Sequence, residues 1–523
     1  MLTIIKELLR DFKGSEKEVK GTSASAFNSQ FSTFNFRLPS RRILLSIINF
    51  QLSIALAIAQ GGTPWIHDPA TLTYCDGKWY TFGTGGGGLI SADGWNWHSG
   101  AIRPGGGAAP DVVKIGNRYL VSYSGTGGGL GGGHNGRILT MWTQTLDPTS
   151  ANFHYTEAQE VIASDGDEYN DAIDPGLLLD PVTGRLWCSY GTYFGHIRLV
   201  ELDKETGLRK DGTPVTDVAI DCEATDLIYR DGWYYLLGTH GTCCDGVNST
   251  YNIVVGRSRE VTGPYLDNVG RPMLQGGGKM VINAGDRKTG PGHFGRTILA
   301  DGVEVMSCHY EADYDQSGRS VLGIRPLLWV KDWPVAGDRL REGTYAIESE
   351  RRGYALELAV DFVRQQVARR PHWGSDDGEP NKPLAEQTLA EVQNTWPEGD
   401  IAVRAGDYMF RPHQKWTLTA VPEAGGYLSN PYFKLTIAGT ERALAVTTDC
   451  ELTTVAQFTG ADEQLWRVEQ CTDGTFRIMP KRLPGSSADN TEYVLYSIAD
   501  STPILARWDF ASDNAKWRLK EIR

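Results

Sequence analysis

The chain has 523 residues, enough for two or three domains, and its 61 Gly and 15 Trp suit turn-dense β structure better than helical bundles. Lys and Arg total 51 against 64 Asp and Glu, a net charge of −13 that argues against nucleic acid and favours a neutral partner. No two separated Cys-x-x-Cys pairs occur, so a structural zinc site is not expected.

Residues 1–42 are polar and Ser-rich after a short amphipathic start, Met1 to Phe12, and end in Arg41-Arg42. An apolar run follows from Ile43 to Ala59, and Ala57-Ile58-Ala59 before Gln60 has the small-x-small form of a signal-peptidase site. Residues 1–59 therefore read as an N-terminal extension with a signal peptide, and the mature chain is expected to begin near Gln60, secreted or periplasmic. The run is short and contains Ser46, Asn49, Gln51 and Ser53, which disfavours a spanning helix. An uncleaved 43–59 membrane anchor is the alternative, as is translation beginning downstream of Met1. Eight cysteines suit disulfides in an exported chain. Cys450 and Cys471 could pair, and Cys243-Cys244 could be a vicinal bridge, two partners for other thiols, or free buried thiols.

From Gly61 onward five segments share one plan: an ionisable residue, a mostly apolar strand, a turn, then a strand often rich in aromatics. They start at His67-Asp68-Pro69, Ala109-Pro110-Asp111, Asp171-Ala172-Ile173-Asp174-Pro175, Cys222-Glu223-Ala224 and Gly292-His293-Phe294. Their turns fall at Asp76-Gly77, Gly116-Asn117, Thr183-Gly184, Asp231-Gly232 and Asp301-Gly302, a strong hairpin signal. Repeated antiparallel units of this kind predict a five-bladed β-propeller over 60–340. Asp68, Asp111, Asp174, Glu223 and His293 should then converge at one end of its axis. None of the Gly clusters (85–88, 105–107, 127–133, 276–278) precedes a Lys-Ser/Thr, so they read as turns rather than phosphate-binding loops.

Residues 341–523 form a second unit, with a polar insertion near 361–400 that carries Pro at 371, 380, 383 and 397. Trp416, Trp466 and Trp517 are spaced by 50 and 51 residues, which predicts a β-trefoil-like domain whose tryptophans pack in a pseudo-threefold core. The first two follow Gln414 and Gln464 in the Gln-x-Trp form of ricin-B-like lectins (carbohydrate-binding module family 13), which this region resembles; the third has Ala515 instead.

Asp68, Asp174 and Glu223, without a nucleophile-and-base triad, point to acid and base work on a neutral polymer. Glycoside hydrolysis needs one protonated carboxyl for the leaving oxygen and one carboxylate to activate water or attack carbon, and a third carboxylate can hold the acid's pKa up. The competing reading is that each acid before Pro or Ala merely caps a turn.

The segments Ile66-His67-Asp68-Pro69, Ala172-Ile173-Asp174-Pro175, Cys222-Glu223-Ala224, the run Gly241-Thr242-Cys243-Cys244-Asp245-Gly246 to Asn248-Ser249-Thr250-Tyr251, Val255-Gly256-Arg257-Ser258 and Gly290-Pro291-Gly292-His293 resemble glycoside hydrolase family 43, and within it the endo-α-1,5-L-arabinanases. The resemblance implies an inverting hydrolase of plant cell-wall arabinan, with Asp68 as general base, Glu223 as general acid and Asp174 tuning that acid. It also implies a calcium or similar ion on the axis with His293 as ligand. Asp171 stands where relatives commonly carry Asn and is expected to alter a sugar contact or the acid's pKa. Thr192 matches a sugar-facing hydroxyl, and Trp65 and Phe194 could offer stacking faces. The alternatives are an exo-acting α-L-arabinofuranosidase or β-xylosidase, and a non-catalytic glycan-binding protein.

Overall fold

The computed structural model describes residues 60–126, 133–360, 388–498 and 502–522. The expected signal peptide, the Gly-rich 127–132 stretch and most of the polar insertion lie outside them. Among the described residues no helix is long and apolar enough to cross a membrane.

Residues 61–336 form five antiparallel sheets in sequence order, each running outward from an inner strand, and together these make a five-bladed β-propeller. The inner strands are Thr73–Cys75, Ala108–Ile115, Gly176–Leu179, Glu223–Arg230 and Lys288–Ile298. Four blades have four strands. The first adds Gly61–Gly62, which pairs in parallel with its outer strand Asn96–Ile102. The hairpins close where Asp-Gly or Gly-Asn invites positive φ, as at Asp76 (47°) and Gly77 (81°) between Cys75 and Lys78. The ring is clasped by the segment before Asp68: Trp65 bridges Val321 of blade 5, and Leu322 N–H donates to the Pro64 carbonyl at 2.8 Å.

Alternation along the strands feeds a separate apolar cluster into each gap between blades. In blade 2, Tyr119 and Val121 turn toward Tyr80 and Phe82 of blade 1, while Leu120 between them joins Leu177 and Leu186 of blade 3. Further clusters fill the gaps between blades 3 and 4, 4 and 5, and 5 and 1. With both faces of every sheet buried this way, a one-residue slip would swap the side chains packed against the two neighbouring blades, so register is fixed by the fit of those interfaces.

Beyond Ala336 the next sheet opens at Gly343–Ser349. Six strands, Gly343–Ser349, Trp416–Ala420, Phe433–Ile437, Trp466–Gln470, Phe476–Pro480 and Trp517–Glu521, pair each with the next and the last with the first, closing a barrel. Three hairpins accompany it, 355–406, 443–455 and 493–507, one between alternate pairs of barrel strands. This threefold strand order is the one a β-trefoil requires. Trp416, Trp466 and Trp517 are fully buried and donate through Nε1 to the carbonyls of Leu356, Leu444 and Leu495 at 2.7, 3.0 and 2.8 Å. Each polar edge is thereby satisfied inside the core. Gln414 and Gln464 are buried as well and accept from the peptide N–H groups of Met409 and Thr459, so they brace loops. The two domains meet through Leu428, which joins the apolar cluster of blades 5 and 1, and through buried Arg477, whose guanidinium lies 2.6 Å from Asp301 and 2.7 Å from Glu469.

The cysteines depart from one expectation. Cys450 is exposed, Cys471 is buried, and both are free thiols, whereas Cys243 and Cys244 are joined as a vicinal disulfide.

Candidate active site

One residue at the head of each blade holds a left-handed backbone: Asp68 (φ 50°), Ala109 (45°), Asp174 (53°), Ala224 (46°) and His293 (59°). Such conformations cost of order 1–3 kcal/mol each for residues with a Cβ and persist only where surroundings enforce them. Here the neighbouring blade does so. Asp68 N–H donates to His309 Nδ1 at 3.1 Å, Ala109 N–H to Thr84 Oγ1 at 3.0 Å, Asp174 N–H to Ser124 Oγ at 2.9 Å and His293 N–H to Thr239 Oγ1 at 2.9 Å.

This register corrects the expected ring of heads. The equivalent positions in blades 2 and 4 are Ala109 and Ala224, not Asp111 and Glu223; each sits in a bulge, at Ala108–Asp111 and Glu223–Asp226, as His293 does at Gly292–Gly295. Asp111 lies deeper, where its carboxylate accepts from Leu177 N at 2.8 Å and Thr71 N at 3.4 Å and ties three blades together. Glu223 sits one residue before its head, 7% exposed, beside the mouth.

Asp68 is held by three groups. His67 Nδ1 is 2.9 Å from its Oδ2, Thr84 donates to the same oxygen at 2.6 Å, and Oδ1 lies 3.8 Å from His293 Nδ1. His67 reaches Glu311 Oε1 through Nε2 at 3.2 Å and stacks on His309 at 4.3 Å. Burial lowers the basicity of His67, but the two carboxylates outweigh it and push the imidazole up to about 10. Burial likewise raises Asp68, yet the His67 hydrogen bond and the positive charge around it bring its carboxyl below the usual range. Glu311 is brought down to about 2 against its burial by His309 and His67.

Glu223 and Asp174 behave oppositely. Burial, followed by the charges of Asp68 and Glu311, outweighs a hydrogen bond from Tyr251 OH to Glu223 Oε1 and pushes Glu223 up to about 7. Asp174 is raised well above the carboxylate range by burial and by the charges of Glu223 and Asp68. The pair therefore keeps a proton near neutral pH, while Asp68 beside it is ionised. One acid and one base in a single mouth is the equipment of glycoside hydrolysis.

The expected sugar contacts divide. Trp65 is 44% exposed with the Arg319 guanidinium 3.9 Å from its ring centre, and Phe194 is 37% exposed at the rim, edge-on to His134 and Tyr193. Thr192 follows Gly191, whose N–H donates to Ile173 O beside Asp174, and its buried hydroxyl has no hydrogen-bond partner. Asp171 is corrected: it is fully buried, its Oδ1 accepts from Gly136 N at 2.7 Å and Ser164 Oγ at 3.2 Å, and it fastens a loop instead of meeting sugar.

His293 is buried and neutral, lowered to about 4 chiefly by burial, with the Pro110 carbonyl near its ring. Its Nδ1 has no hydrogen-bond partner and faces the Asp68 carboxylate. That atom fits a cation on the axis, although the imidazoles nearby give a donor set poorer in oxygen than calcium prefers. Residues missed in the sequence are His67, Tyr251, His309 and Glu311. The last two alternate on one face of the buried strand Glu304–Asp313, a polar pair in an apolar run, and that was the available signal.

This fold and mouth define a carbohydrate-cleaving enzyme, and comparison with known proteins agrees. The profile of glycosyl hydrolases family 43 matches residues 85–334. The extracellular endo-alpha-(1->5)-L-arabinanase 1 of Bacillus subtilis is 34% identical over 231 residues, 43% of this chain and 67% of that protein. The extracellular exo-alpha-(1->5)-L-arabinofuranosidase of Cellvibrio japonicus is 31% identical over 314 residues, 52% of this chain and 87% of the relative. A solved endo-arabinanase of Bacillus licheniformis is 31% identical, covering 53% of this chain and 99% of its own, with a TM-score of 0.48. The chain belongs to family 43 of the glycosyl hydrolases.

Proposed function

We propose that this chain is an exported, inverting glycoside hydrolase that cleaves internal α-1,5-L-arabinofuranosidic links of plant arabinan. The observation that carries the mechanism is the opposed titration of two carboxyls in one mouth: Glu223 pushed up to about 7, Asp68 held ionised. Asp68, locked by His67 and Thr84, takes a proton from water as that water attacks the anomeric carbon. Glu223 gives its proton to the departing glycosidic oxygen. Burial and the charges of Asp68 and Glu311 keep Glu223 protonated, Asp174 is proposed to position that acid as a second, itself protonated carboxyl, and Tyr251 orients the Glu223 carboxyl. Trp65, Phe194 and Thr192 are proposed to contact sugar.

The tests are Glu223→Gln and Asp68→Asn. The former should cripple arabinan cleavage by about 10²–10⁴-fold yet spare an aryl arabinoside with an acidic phenol, and the latter should damage both. Equal losses on both substrates would overturn the roles. Exo action is the second reading, since the Cellvibrio relative carries that name. Early oligomers from linear arabinan mean endo, and monosaccharide alone means exo.

Export rests on the 43–59 pattern and on two relatives named extracellular. A calcium-class ion is proposed at His293 Nδ1, where it would supply positive charge beneath the carboxylates. For the C-terminal domain a ricin-B-like glycan-binding role is proposed.

A further inference from the structure

The loop of residues 241–251 brings Cys243 and Cys244 to the rim of the mouth, joined by their disulfide. Cys244 N–H donates to Glu311 Oε1 at 2.8 Å, the same oxygen that lies 3.2 Å from His67 Nε2. Ligand atoms of His67, Cys243, Cys244 and Glu311 all lie within 4.8 Å of one another. Cys243 is half-buried and Cys244 exposed, so solvent reaches the sulfurs, while Glu311 is buried at the base. His67 is also oriented from behind, because its Nδ1 is held by Asp68 at 2.9 Å. A carboxylate on one imidazole nitrogen is the arrangement that aims the other nitrogen at a metal.

We propose that reduction of the Cys243–Cys244 disulfide turns this cluster into a site for zinc or a similar thiophilic divalent ion. The ligands are the two Sγ atoms, His67 Nε2 and one Glu311 oxygen. With a phosphine as reductant the S–S bond breaks and phosphorus takes the oxygen of a water to become the phosphine oxide. The two electrons and the two hydrogens of that water leave two thiols. Metal binding then releases both thiol protons and the Nε2 proton to buffer, and Nδ1–H stays on Asp68. Two thiolates, an imidazole and a carboxylate suit zinc, whereas calcium prefers oxygen alone. Bonds of about 2.3 Å to sulfur and about 2.1 Å to nitrogen put tetrahedral donors roughly 3.3–3.8 Å apart, so the longest separations need to close by up to about 1 Å while the two sulfurs, no longer bonded, move apart. The neighbouring cysteines can both reach the ion, since inserting it enlarges the ring that their disulfide closes. While the sulfurs are bonded to each other they are not thiolates, and the oxidised chain lacks the site.

Cobalt(II) is the probe, added without air to the full chain before and after phosphine treatment and removal of the phosphine. Reduced chain should show thiolate-to-cobalt charge-transfer absorption that saturates at a single equivalent and disappears when zinc is added. Untreated chain and the Cys243→Ser/Cys244→Ser variant should lack that band, and Glu311→Gln should weaken binding about tenfold or more. No band in the reduced chain, or an equal band in the double variant through exposed Cys450 or another thiol, would overturn the proposal. The oxidised and reduced forms are one polypeptide, so the comparison does not depend on whether a variant folds.

Discussion

His67 places Nδ1 2.9 Å from Asp68 Oδ2, and the imidazole is protonated well above neutrality because Asp68 on that nitrogen and Glu311 on the other both favour the charged ring. A half-buried positive charge is thereby fixed against one carboxyl, while Glu223 and Asp174, which cannot both ionise side by side, keep a proton. Adjacent groups of the same chemical type are driven to opposite protonation states by their partners.

Replacing His67 by Gln should raise Asp68, because the cation that favours its ionised form is lost. The acidic limb of the kcat/KM profile should move to higher pH, and kcat/KM at neutral pH should fall by about 10–100-fold. A variant with an unchanged acidic limb would show that His67 does not set the base.

Tyr251→Phe removes a hydrogen bond that favours ionised Glu223, so Glu223 should rise above about 7 and the alkaline limb should move upward. Asp174 is held protonated beside Glu223, so Asp174→Asn removes no charge and should leave the same limb close to the parent's. Profiles of the two variants, measured on one substrate, should therefore differ, the Tyr251→Phe limb moving upward and the Asp174→Asn limb staying in place.

Stability should carry the same signature. His67 is raised in the folded state, so its contribution is fully present below about 6.5 and is lost as pH rises through about 10. Glu311 is depressed, so its contribution is present above about 4.5 and is lost as pH falls through about 2. Denaturant midpoints of parent and His67→Gln should therefore converge toward high pH. A constant gap from pH 6 to 10 would contradict this.

Chelation should lower both Tm and activity, with added calcium restoring them, if an ion sits at His293 Nδ1. His293→Ala should lose the response. In the second domain, Trp466→Phe deletes a buried hydrogen bond and ring volume, at a cost of about 2–3 kcal/mol. It should lower that domain's melting transition while leaving the rate on a short soluble substrate within about twofold, far less than the catalytic substitutions.

Much of the site was legible where chemistry and backbone coincide. Asp68 and Asp174 precede Pro, a residue that favours a strand start, and both stand at blade heads. In blades 2 and 4 the left-handed turn is held by an alanine, Ala109 or Ala224, which carries no compositional mark of that role, so the nearby acids Asp111 and Glu223 read as the heads. Asp171 was misjudged for a related reason. It adjoins the Asp174 motif in sequence, but the chain turns between them and buries it against Gly136. The His67, His309 and Glu311 cluster joins residues from blades 1 and 5, which meet only when the ring closes, and no local pattern reports that contact. The three tryptophans were readable because their spacing repeats, and their indole hydrogen bonds repeat with it.

Proton NMR of linear α-1,5-arabinan during the first minutes of hydrolysis tests the central claim most directly. The account predicts oligosaccharides whose newly formed reducing ends first appear as the inverted β-anomer, because water held by Asp68 attacks from the face opposite the bond that Glu223 protonates. First-formed α-anomer, or no new reducing ends at any pH from 4 to 8, would contradict it.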